Sequence, residues 1–254
     1  GGDSMESFRD NTYGTCVDTY VTSLHGKYGD KSYAAARFLS VASGQRITVS
    51  GVWMDYFSGF HGSGFFVEEG GSLTIRNTML TDLNIDAASS STNGGGIFAN
   101  GGDVLISGSW FTGNKALDTG GSVYLTNNAN FEAYDTFFDD SYASTHGGAI
   151  YVRQGGEIKM EVVEFVGNKA NLGAALWAAE SPPVFIRNAY MYSNQGASSS
   201  SEGTCICTKA TNIDMDHGKF EYNGAKCLYA AEPGSHMIIH NSVANFNRAP
   251  FAEV

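Results

Sequence analysis

Asp139, Asp140, His146 and Arg153 come nearest to a catalytic set in this chain, with Asp118 a little upstream. Two carboxylates flanking a glycosidic bond act as general acid and base, or as acid and nucleophile. Carboxylates with an arginine and a calcium ion would instead serve a polysaccharide lyase. Ordinary explanations compete at each position. Asp139-Asp140 falls in an expected turn, where aspartate is common. His146 stands before a glycine pair at a connection. The expectation is a protein with no chemistry of its own. A polysaccharide lyase or hydrolase built on these four residues is the enzyme alternative.

Metal chemistry finds less support. The cysteines are Cys16, Cys205, Cys207 and Cys227, and Cys205-x-Cys207 is not a zinc spacing. No metal site or cofactor is expected. Asp82, Asp86 and Asp103 read as solvated surface acids, with weak calcium binding as the alternative. They lack EF-hand and glycine-aspartate nonapeptide spacing.

These residues sit on a repeat. Gly147-Gly148-Ala149-Ile150-Tyr151-Val152 is rewritten as Gly120-Gly121-Ser122-Val123-Tyr124-Leu125 and Gly94-Gly95-Gly96-Ile97-Phe98-Ala99. Weaker copies begin at Gly62 and Gly173. The fourth position reads Leu39, Phe65, Ile97, Val123, Ile150, Leu176, Ile206 and Leu228, most often 26 or 27 residues apart. A second alternating apolar segment follows in each unit, from Ile47-Thr48-Val49 to Met237-Ile238-Ile239, usually after a glycine-bearing turn. A third closes on asparagine in five units, at Asn114, Asn168, Asn194, Asn223 and Asn247. Phe57, Leu83 and Ser141 replace it elsewhere.

Three short strands per unit and no helical period describe an all-β, single-stranded parallel β-helix of about eight coils. A coil this long favours the right-handed form. Residues 1–33 lie outside the repeat and read as an irregular N-terminal cap. Residues 34–254 form the helix. Ser32 to Val41 has helix-like alanines, but the register assigns Phe38–Val41 to a strand. The two longer steps place serine-rich surface loops at 86–93 and 196–201.

The Gly-Gly-Ala-Ile and Phe-x-x-Asn phrases resemble the repeats of the chlamydial polymorphic outer-membrane proteins and their right-handed β-helical relatives. The resemblance covers roughly residues 34–248 and is fullest from Gly147 to Asn168. It implies an exposed adhesive region, and the helix alone carries over. Right-handed β-helices also host pectate lyases and polygalacturonases. The order Asp139, Asp140, His146 resembles the latter, but the spacing does not match. Fold alone does not confer activity.

Stacking the units makes columns. The asparagines form a ladder whose amides satisfy turn backbone and one another, a structural role. The fifth position gives Phe66, Phe98, Tyr124, Tyr151 and Trp177, then Cys207, then Tyr229. Alternation turns this column outward. It is either a set of mutually stacked rings beneath a covering loop, or an open face for a glycan or another copy. Cys205 and Cys227 share the third position in adjacent coils, within disulfide range, and a bridge is expected. It would mildly imply an oxidising compartment.

The formal net charge of -11 with only 15 basic residues argues against nucleic acid and anionic membrane surfaces. No apolar run is long enough to span a membrane, and no N-terminal signal peptide is visible. After Asn247 only Arg248 to Val254 remain, little to cap the last coil, so either the chain continues or copies stack into a filament. The resulting expectation is a non-catalytic extracellular or cell-surface structural and adhesive protein. Its expected partners are itself, other subunits or a glycan.

Overall fold

A computed structural model of the chain describes residues 24–25, 37–59, 61–85, 93–197, 204–224, 226–247 and 252–253. All regular structure among them is β, and all strand pairs are parallel. Most of the N-terminal cap segment and of both serine-rich loops lies outside the described residues, as do Cys16 and Asp86.

The first sheet collects the opening strand of every coil. Its register runs Leu39, Phe65, Ile97, Val123, Ile150, Leu176, Ile206, Leu228, each paired with the next. These are the residues that the repeat aligned. Seven turns of a parallel β-solenoid therefore separate Leu39 from Leu228. Leu39–Val41 is a strand, as the register required.

The second sheet holds the other two segments. They are separate in early coils, as in Asp103–Ser107 and Trp110–Thr112. They fuse into single strands at Phe131–Asp139, Ile158–Val166, Val184–Tyr192 and Asn212–Glu221. Three strands per coil thus become two in these turns. The bend is one residue with left-handed backbone: Gly51, Asn77, Gly108, Asp135, Val162, Asn188, His217 and Asn241. A single such residue re-aims the strand without ending it.

The glycine pair of the repeat answers to backbone crowding. Gly147 has a φ of 63°, and a Cβ there would lie 2.5 Å from the Ile150 carbonyl oxygen. Gly148 rests against the next turn, where a Cβ would lie 2.4 Å from the Ala174 oxygen. Only glycine allows both approaches.

The core runs along the axis between the sheets. Met54, Leu80, Phe111, Phe138, Phe165, Met191 and Phe220 form one fully buried column. Within it Phe111, Phe138 and Phe165 stack at centroid separations of 5.1 Å. Each residue packs against its copies above and below, so the coils hold one another in register.

Candidate functional site

The asparagine column lies inside the solenoid. Asn114, Asn168, Asn194 and Asn223 are fully buried. Asn168 Nδ2 donates to the Phe138 carbonyl at 2.9 Å and to Asn194 Oδ1 at 3.1 Å. Asn194 repeats this with Phe165 O and Asn223 Oδ1, and Asn223 with Met191 O and Asn247 Oδ1. Each Oδ1 also accepts a backbone N–H from the preceding turn, as Asn168 Oδ1 does from Ser141. Both amide protons and the carbonyl oxygen are used. These side chains are committed to the turn.

The aromatic column is a stack of rings. Centroid separations are 5.4 Å for Phe66–Phe98, 4.6 Å for Phe98–Tyr124, 4.8 Å for Tyr124–Tyr151 and 4.6 Å for Tyr151–Trp177. Arg37 lies over Phe66 at one end, 4.5 Å from the ring centre. His61 packs on Phe98 and His146 on Trp177. Phe98, Tyr151 and Trp177 are only 7–8% exposed, while Phe66, Tyr124 and Tyr229 are half-buried. The rung spacing equals a ring-stacking distance, so each ring covers its neighbours' faces. Of the two expectations for this column, mutual stacking describes its geometry, and the rings leave little open face. Burial, then Tyr124, pushes the Tyr151 phenol up to about 12.

Cys205 and Cys227 are buried free thiols, and Cys207 is buried beside them. Cys205 and Cys227 sit one turn apart on in-register strands. The expected bridge is not formed: the parallel Cβ vectors set the thiols side by side in hydrogen-bond contact. Burial, then that contact, pushes the Cys205 thiol well above its ordinary value. Cys207 joins Tyr151, Trp177 and Ala179 in a small apolar cluster outside the main core.

The four catalytic candidates fall into two neighbourhoods. His146 Nδ1 is 3.1 Å from Thr145 Oγ1, and the Thr145 hydroxyl donates to Asp118 Oδ1 at 2.5 Å. Burial pulls His146 down, against an upward pull from Asp118. Arg153 follows Tyr151 on the same strand and lies 3.6 Å from Glu180. Asp139 and Asp140 close a strand of the other sheet. Asp140 pairs with Lys169 at 3.1 Å. Burial, then Asp140, pushes Asp139 up. Burial, then Asp55 and Asp140, does the same to Asp82. The Asp118–Thr145–His146 chain is a local connection that sequence order did not reveal. Among the described residues no group of three or more His, Cys, Asp or Glu is arranged to hold a metal ion.

A different column is exposed. Trp53, Met79, Trp110, Phe137 and Glu164 succeed one another in register on the outer face of the second sheet. Trp53 is 45% exposed, Met79 38% and Trp110 47%. Trp110 and Phe137 are in ring contact at 5.6 Å. Water meets large apolar side chains here on three consecutive turns, an unusual surface. Carboxylates surround it: Asp139 lies two residues beyond Phe137, Asp135 two before, and Glu164 one turn on. Burial, then Asp135, pushes Glu164 up. The sequence carried the signal, since each of these residues directly precedes a core residue of the closing phrase: Trp53-Met54, Met79-Leu80, Trp110-Phe111, Phe137-Phe138. Alternation then turns the first of each pair outward. We take this stripe as the candidate functional site.

No protein-family model matches the chain, and neither a curated protein nor a solved structure matches it.

Proposed function

We propose that the chain is a non-catalytic structural and adhesive β-helix of the cell surface or extracellular space, holding a polymer along its side. The observation that carries this reading is the exposed ladder of Trp53, Met79 and Trp110. A solenoid stacked in register is a stiff support, and a column on its flank repeats one contact at each rung. Rings in a row suit an extended partner better than a compact one. The likeness of the Gly-Gly-Ala-Ile and Phe-x-x-Asn phrases to chlamydial surface-protein repeats supports an adhesive role. The separation of Asp139 and Asp140 from His146 and Arg153 favours holding a polysaccharide over cleaving it.

Co-sedimentation of the purified chain with insoluble polysaccharides and with whole cells tests the reading, with product release followed with and without calcium. The expected result is retention without turnover, lost in Trp110→Ala. Chain cleavage would make the protein an enzyme. Retention unchanged in Trp110→Ala, or no retention on any surface, would overturn the reading. Sedimentation velocity separates a glycan partner from a second copy, because self-association would shift the distribution with concentration.

A further inference from the structure

Resting on that adhesive reading, we infer that the Trp53–Met79–Trp110–Phe137 stripe recognises an extended cationic glycan, a chain of glucosamine units with free amino groups. The first support is geometric. Trp53 and Trp110 are two rungs apart in one register column, about 9.5 Å at the parallel strand spacing. An extended β-linked glycan presents the same ring face at every second sugar, at closely similar separation. Exposed indole faces are platforms for the flat C–H side of a sugar ring.

The second support is charge complementarity. Asp135 and Asp139 flank Phe137 along the strand, Glu164 follows it in register, and Asp82 lies at the turn against Gly113, three residues past Trp110. Of the cations nearby, Lys169 pairs with Asp140 and Lys115 lies over the Tyr142 ring, and among the described residues none of those four has an ion-pair partner. Asp82, Asp139 and Glu164 all hold their protons more strongly than usual, with burial the first cause and neighbouring carboxylates the second. Each of the four is thus left without a direct ion pair among the described residues. An ammonium group set over an aromatic ring and beside a carboxylate satisfies both groups. A polyanion such as a uronate polymer would meet repulsion here.

A basic peptide offers the same charge, but its usual route onto a sheet is closed on this face. Strand addition needs an unpaired edge, and the strands bearing the stripe pair with the turns before and after them. What remains is a flat row of rings and acids, which matches a row of flat aminated rings.

The test is calorimetric titration of the full chain with glucosamine hexamer, its N-acetylated counterpart, a neutral cello-oligosaccharide, an oligogalacturonate and a lysine hexapeptide. The pH is one at which the amines are charged and the acids ionised. Glucosamine hexamer should bind best, and N-acetylation should weaken it about tenfold, the loss of one or two cation contacts. Salt should weaken it further. Trp110→Ala should weaken it by a similar factor. Asp139→Asn with Glu164→Gln should remove the preference for free amines and leave neutral-sugar binding intact. Both variants change surface residues, and circular dichroism verifies their fold. Equal binding of free and acetylated hexamers, with Trp110→Ala still damaging, would overturn the cationic assignment and leave the adhesive reading standing. Tighter binding of the lysine peptide would overturn it in favour of a protein partner. Absence of any oligosaccharide binding would overturn the inference, while co-sedimentation decides the adhesive reading independently.

Discussion

Ser122 and Ser141 share a hydrogen bond of 2.8 Å in the buried ladder, at the turn between Asn114 and Asn168 where asparagine is replaced. Asn114 Nδ2 donates to Ser122 Oγ at 3.1 Å, and the Ser141 backbone N–H donates to Asn168 Oδ1 at 2.9 Å. Two hydroxyls therefore carry the bonding across a gap that one amide fills elsewhere. Ser122→Ala should cost about 1–2 kcal/mol, because it leaves Asn114 short of an acceptor in a dry site. Ser141→Asn alone should crowd the Ser122 hydroxyl, and the double change should recover stability. A urea-unfolding double-mutant cycle should give a coupling of at least ~0.5 kcal/mol. Additive effects would show that the serines act separately.

Asn194 and Asn223 are the best-connected members of the ladder, with four side-chain hydrogen bonds each; Asn194 is the one to test. It accepts from the backbone and side chain of Asn168 and donates to Phe165 O and Asn223 Oδ1. Asn194→Ala should destabilise by about 3 kcal/mol or more, since several buried groups lose partners together. Denaturant midpoints measure this, and glycan binding per folded molecule should not change.

Val162 stands at φ 54° and is 47% exposed. The same bend holds Gly51, Asn77, Gly108, Asp135, Asn188, His217 and Asn241 in other turns. Left-handed backbone penalises a β-branched side chain, and asparagine tolerates it. Val162→Asn should raise stability by about 1 kcal/mol, read as a higher melting temperature. A lower one would mean that Val162 packs more than its exposure implies.

Titration should follow two ring-stack residues in opposite senses. Tyr151 is raised to about 12 by burial and then by Tyr124, so the native state keeps a proton that the unfolded chain gives up above 10. Stability should fall as pH rises through that window, and less so in Tyr151→Phe. His146 is lowered, with burial the first cause. Its unfolded form takes a proton below about 6.5, which the native state resists, so stability should fall as pH drops through that value. Unfolding measured against pH should show a smaller acid loss in His146→Phe than in the wild type.

Cys205 and Cys227 should resist thiol reagents in the native protein and react after unfolding. Both are fully buried, and the Cys205 thiolate is strongly disfavoured. Mass spectrometry of alkylated native and denatured samples measures the difference. Rapid native labelling would mean that the last coils open readily.

The column from Leu39 to Leu228 was legible in the chain, because glycine pairs, apolar alternation and asparagine recur at nearly constant steps. A solenoid turns that one-dimensional period directly into axial register, so coil order and core columns follow from spacing alone. The asparagine amides were legible for the same reason, since like residues at like positions must meet. Lateral facts were not. Whether Trp177 or Trp110 faces water depends on how neighbouring rings and connections cover a column, and the repeat carries no record of that. Strand alternation turns both columns outward, yet stacking closed the Phe66–Trp177 column and left the Trp53–Trp110 column open. The separation of Asp139 from His146 was equally hidden, because a left-handed corner between them sends seven residues of chain from one sheet toward the other. Periodicity decides which residues stack along the axis. Only the tertiary structure decides which stacks are shielded and which meet solvent, because exposure is set by the cross-section that the turns enclose.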